Sequence, residues 1–197
     1  MKKLLLILLV LLSFNAFSQN WQPVNSAYSY FYKTASSDLI DKTIQVDSMT
    51  YDGGHPVYHL NTGLSYCDTC DPMQFDCFDG WLIYNIAAGF LQRRVHELNN
   101  ETYWFEGPGS FVLLPGALPG ESWIYDTLNN IQAEVIAANP EEIFPGVTDS
   151  VKKIQLSDGN EILLTKNFGI QQFPKNPPAS GDYLLCGMQT QDDRFGE

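Results

Sequence analysis

The sequence predicts an all-β fold: a single antiparallel sheet, curved into a half-barrel or folded as a sandwich, with at most one short helix. Three observations carry this. Aromatic residues make up 13% of the chain and gather in short alternating runs, as strand formers do on a half-buried sheet. Turn signals of Gly, Pro, Asn and Asp separate those runs at intervals of about 8 to 12 residues. The run "DSVKKIQLSDGNEILLTKNFGIQQFP", residues 149 to 174, has two apolar halves around Asp158-Gly159, a dipeptide that signals a tight hairpin.

Taken in order, "AYSYFYK" (27 to 33) is rich in strand-forming aromatics. "KTIQVDSMTY" (42 to 51) alternates Ile44, Val46 and Ser48 against Thr43, Gln45 and Asp47, and "DGG" then leads to "PVYHL" (56 to 60). Two strands with a turn signal between them make a hairpin. "GWLIYNIAAGFLQRRVHEL" (80 to 98) places Leu82, Ile86 and Phe90 at helical spacing. Gly89 and the strand-like alternation of its second half limit it to a short helix. "NETYWFEG" and "SFVLLPG" give further strands, and "ESWIYDT" with "IQAEVIA" repeats the pattern around Asn129-Asn130. Asp158-Gly159 is expected as a type I′ turn, with positive φ at both residues. Ile154 and Leu156 then share the core face, opposite Ile162 or Leu163 according to register. Gly169 suits a bulge or a second bend, and Pro174 ends the pairing because it has no N–H to donate.

The N-terminus sets the compartment. Lys2 and Lys3 precede an unbroken apolar run from Leu4 to Leu12, and "AFS" puts small residues before Gln19. This is the pattern of a secretory signal peptide cleaved after Ser18, and the run is shorter than the about 20 residues of a membrane-spanning helix. The organisation expected is a signal peptide over 1–18, one β domain over 19–190, and a C-terminal tail over 191–197 that reads as a truncated linker. No integral membrane span is expected beyond the leader. The formal net charge of −12 disfavours nucleic acid and anionic membranes as partners, since both would be repelled.

"CDTCDPMQFDC", residues 67 to 77, concentrates three cysteines and three aspartates. In an exported chain the even set Cys67, Cys70, Cys77 and Cys186 favours disulfides over a zinc or redox site, with the pairing left open. Asp68, Asp71, Asp76 and Asp79 offer hard oxygen ligands of the kind calcium takes. Their spacing does not match an EF-hand loop, and a solvated acidic loop is the simpler account. No cofactor is expected.

Catalytic patterns are weak. His55 and His59 are four apart, but Pro56 and the strand-like neighbours argue against a helix. On a strand they would stand about 13 Å apart, too far to share a metal. His96 stands alone in "RRVHELNNE" and suits the surface. There is no G-x-S-x-G, P-loop or H-E-x-x-H motif. No catalytic residue is nominated. Trp81, Tyr84, Tyr103, Trp104, Phe105, Trp123 and Tyr125 are the candidates for lining a carbohydrate or lipid cleft, although in a β domain such residues more often pack the core.

The leader ending "FSQ", "WQPV", "IQVDSM" followed by "VYHL", "PGESWIYD", the 149 to 174 run and "YLLCG" together resemble N-terminal domains of type IX secretion cargo proteins. These are secreted proteins of uncharacterised function from Bacteroidetes-type bacteria. The resemblance covers most of residues 19 to 188, and 149 to 174 is its most specific part. It implies no catalytic residue. In such cargo a sorting domain follows, whereas this chain ends at "TQDDRFGE". The expectation is therefore either a piece of a longer secreted or cell-surface protein, or a periplasmic product. The 149 to 174 hairpin is also similar, at fold level only, to half-barrel domains of envelope proteins that include lipoprotein carriers.

The function expected is an exported, non-catalytic module for binding, adhesion or surface structure. The alternatives are a carrier holding an apolar ligand or lipid in its concave face, and a hydrolase acting on extracellular polymer.

Overall fold

A computed structural model describes residues 21–35, 40–63, 91–99, 101–174, 182–190 and 193–196. The signal peptide, Cys67, Cys70 and Cys77, Asp68, Asp71, Asp76 and Asp79, Trp81, Tyr84 and most of the candidate helical segment lie outside the described residues.

The described residues form one antiparallel sheet and no helix. Its strands are β1 (Ser29–Thr34), β2 (Ile40–Asp52), β3 (His55–Gly63), β4 (Arg94–Asn99), β5 (Thr102–Glu106), β6 (Phe111–Leu113), β7 (Ser122–Asp126), β8 (Ile131–Phe144), β9 (Val147–Leu156), β10 (Glu161–Thr165), β11 (Gly169–Phe173), β12 (Tyr183–Gln189) and β13 (Arg194–Gly196). The end of the candidate helical segment is therefore strand β4, in phase with its alternating residues. Each strand from β2 to β13 pairs with its predecessor in the chain except at β6/β7, and β1 pairs with β12. Consecutive hairpins build the sheet from local pairings, and the terminal strands join its two halves. The edges β6 and β7 come to lie side by side, so the sheet is a barrel closed except for one seam.

Turn chemistry sets the register. At the β2–β3 turn, Asp52 pairs with His55 and Gly53 and Gly54 have φ of 56° and 88°. This is the two-residue geometry that needs positive φ twice. The β9–β10 turn departs from the type I′ expectation. Leu156 N–H donates to Asn160 O at 2.8 Å, and Gly159 N–H donates to Leu156 O at 3.0 Å. Only Gly159, at φ 91°, is left-handed there. That is a three-residue loop, a type I turn followed by a glycine bulge, and Asp158 favours it by accepting from Asn160 N–H at 3.0 Å. Ile154 lies opposite Ile162, and both are fully buried. Gly169 has φ 73°, beside a register shift in the β10–β11 ladder.

Side chains fill the concave face. Phe105 stacks on Phe111 at 4.3 Å, Phe111 on Tyr125 at 4.9 Å, and Phe111 meets Phe173 at 5.3 Å. This links β5, β6 and β7 to β11 across the interior, and full burial of each phenylalanine contributes about 1.5–3 kcal/mol. The β11–β12 ladder pairs only at Gln172 and Phe173. Buried Tyr32 compensates by donating to Ile170 O at 2.8 Å, because a carbonyl left unpaired in the core is costly. The segment before β1 packs Trp21 and Val24 into this core.

Candidate functional site

The seam between β6 and β7 carries an open cleft of ≈ 800 Å³, within the roughly 300–1,000 Å³ of small-molecule sites. The β4–β5 turn supplies Asn99, Glu101 and Thr102. The β6–β7 connection supplies Leu114, Gly116, Ala117 and Glu121, and β7 supplies Ser122 and Trp123.

Three side chains of this cleft are positioned by other groups. The Trp123 indole N–H donates to Val112 O at 2.9 Å, which fixes the half-buried ring across the seam. Glu121 Oε2 accepts from Leu118 N–H at 2.7 Å, which leaves Oε1 for other donors. Glu101 is shaped at both ends. Its N–H donates to Asn99 Oδ1 at 2.9 Å, and its side chain lies so close over Gly116 that a β-carbon there would stand 2.8 Å from Glu101 Cγ. A residue without a side chain at 116 is what seats this carboxylate.

Behind the cleft lies Lys152. It shares the inward phase of Ile154 and Leu156 on β9 and is only 3% exposed. Its ammonium donates to the Pro115 carbonyl and sits 4.4 Å from the centre of the Trp21 ring. Burial lowers its pKa to about 8, and Glu121 and Glu101 act the other way. Lys152 thus ties the β6–β7 connection to the barrel wall, while two carboxylates stand towards solvent.

The sequence candidates are dispersed. Tyr103, Phe105 and Tyr125 belong to the core, and of the described aromatics nominated from the sequence, Trp123 lines the seam cleft. His59 Nε2 lies 2.8 Å from Thr50 Oγ1, and His55 is exposed beside the β2–β3 turn. His96 is not a lone surface residue. Its side chain is 12% exposed, Nε2 is 2.8 Å from Glu106 Oε2, and its ring tilts over Trp104 at 4.7 Å. Arg94 holds the other oxygen of Glu106 at 2.9 Å. Cys186 Sγ lies 3.2 Å from Phe31 O and borders a smaller cavity of ≈ 250 Å³ beneath the β8–β9 tip. Among the described residues no group of His, Cys, Asp and Glu is arranged to hold a metal ion, and no helix is long and apolar enough to cross a membrane.

Glu101, Glu121, Gly116 and Lys152 are the site residues that sequence reasoning missed. Lys152 alone had a visible signal, a charge in the inward phase of an alternating strand. Comparison of the chain with family models, curated proteins and solved structures gives no match.

Proposed function

We propose that this chain is an exported, non-catalytic binding module, part of a longer secreted protein, that holds its ligand in the seam cleft. The observation that carries this is a cleft in which Val112 O holds Trp123 and Leu118 N–H holds Glu121, with Glu101 lying over the bare Gly116. Polar groups held in place before a ligand arrives lose little freedom on binding. The signal-peptide pattern and the cysteine set support export.

A carrier of apolar ligands draws less support, because Phe105, Phe111, Tyr125 and Phe173 occupy the concave face. A polymer hydrolase retains one favourable observation, the placing of Glu101 and Glu121 on one cleft, since glycoside hydrolysis uses a carboxylate pair.

The test is a screen of small polar fragments against the ¹⁵N-labelled mature protein. Hits that converge on the amides of Glu101, Gly116, Ser122 and Trp123 are expected. Hits confined to other surfaces, or hydrolysis products that disappear in Glu101→Gln, would contradict a non-catalytic cleft.

A further inference from the structure

We infer that the seam cleft takes a neutral oligosaccharide, an inference that rests on the cleft being the binding site. Its chemistry divides into two kinds. One is the indole of Trp123, which lines the cleft and is held from behind by its bond to Val112 O. Such a fixed, amphipathic ring offers apolar area at little entropic cost, and the C–H face of a pyranose covers that kind of surface. The other is a set of hydroxyl-matching groups. Glu101 and Glu121 accept from vicinal sugar hydroxyls, and charge-assisted bonds of this type are the stronger ones. Asn99, Thr102 and Ser122 line the same cleft and both donate and accept.

Other ligand classes fit less well. An acidic polysaccharide or a phosphate would face two carboxylates on a chain of net charge −12, and the nearby cation, Lys152, is committed to Pro115 O and the Trp21 ring. An apolar ligand would meet a lining in which Leu114 and Ala117 are the aliphatic side chains. A cationic peptide shares the carboxylate chemistry and its main chain can bond Asn99, Thr102 and Ser122, but it covers Trp123 only with flexible side chains that lose freedom on binding. A neutral glycan meets the same polar groups and sets a rigid C–H face on the indole. The cleft is open to solvent, which suits part of a longer chain better than a single enclosed sugar.

The experiment is a titration of the folded mature protein, followed by Trp fluorescence and amide shifts. The probes are neutral tetra- to hexasaccharides of the gluco-, manno-, xylo- and N-acetylglucosamine series, with polygalacturonate and tetralysine as counter-probes. At least one neutral series is expected to shift Ser122, Trp123 and Gly116 saturably. Glu101→Gln, which keeps the side-chain shape, is expected to weaken that binding about tenfold, the loss typical of one charge-assisted hydrogen bond. Gly116→Ala, which displaces Glu101, should weaken it similarly while the melting curve stays cooperative. No shift with any neutral series overturns the inference, and so does tighter binding of polygalacturonate. Tetralysine shifting the same amides while the sugars do not would overturn the sugar assignment and leave the cleft as a binding site. Sugar shifts away from the seam would overturn both.

Discussion

The indole N–H of Trp123 on β7 donates to the main-chain carbonyl of Val112 on β6 at 2.9 Å. A side chain thus bridges the one place among the described strands where two neighbours have no paired ladder. Trp123→Phe keeps most of the apolar area but removes the donor and leaves the carbonyl without it. The expected cost is about 1–2 kcal/mol in urea denaturation, together with faster hydrogen exchange in β6. An unchanged midpoint and unchanged exchange would mean that the bond does not hold the seam.

Two left-handed glycines separate backbone strain from steric clash. At Gly159 a β-carbon would meet nothing within 4 Å, so the cost of Gly159→Ala is conformational alone, roughly 1–3 kcal/mol. At Gly169 a β-carbon would stand 2.9 Å from Pro23 O and 3.2 Å from Tyr30 Cε1. Gly169→Ala should therefore destabilise more than Gly159→Ala, and thermal melts of the two alanine variants measure the difference. Equal melting temperatures would contradict the packing of the N-terminal segment on the β10–β11 turn.

These two positions also show how far the sequence could be read. Gly169 was legible as a bend and Asp158-Gly159 as a turn, because each residue type answers to a local backbone demand. The turn type was not, because Asp-Gly suits both two- and three-residue loops. The choice between them falls to the pairing of Leu156 with Asn160. The strands followed from their alternation, including β4 at the end of the segment whose helically spaced residues, Leu82, Ile86 and Phe90, lie outside the described residues. The cleft was illegible for a different reason. Glu101 and Glu121 line one cleft at the seam where β6 and β7 close the barrel, and no spacing within the chain announces that closure. His96 looked isolated because its partners, Trp104 and Glu106, sit across the β4–β5 ladder.

Lys152 gives a pH signature at the alkaline side. Burial lowers its folded pKa from 10.5 to about 8, so between those values the unfolded chain holds a proton that the folded protein has released. Stability contributed at this site therefore rises with pH from about 8 to 10.5. Measured against Lys152→Met by chemical denaturation, the parent should gain ground across that window. A constant difference would show that the ammonium is not buried as described.

Asp126 gives the opposite signature. Burial raises its pKa, but the Asn129 side chain and the N–H groups of Asn129 and Leu128 outweigh this and hold the carboxyl below its ordinary value. Its contribution is present above the unfolded pKa and is lost as pH falls through the folded one. The stability gap between the parent and Asp126→Asn should narrow on acidification below about pH 4. A gap that widens there would contradict the hydrogen-bonded β7–β8 turn.

The closure of the sheet at β6 and β7 underlies both the barrel and the cleft, and one NMR measurement tests it directly. Nuclear Overhauser contacts from the Trp123 indole N–H proton to α-protons of Val112 or Leu113 are predicted, with that indole proton slow to exchange. An indole proton that exchanges freely and shows no contact to β6 would contradict the closed seam, and with it the cleft.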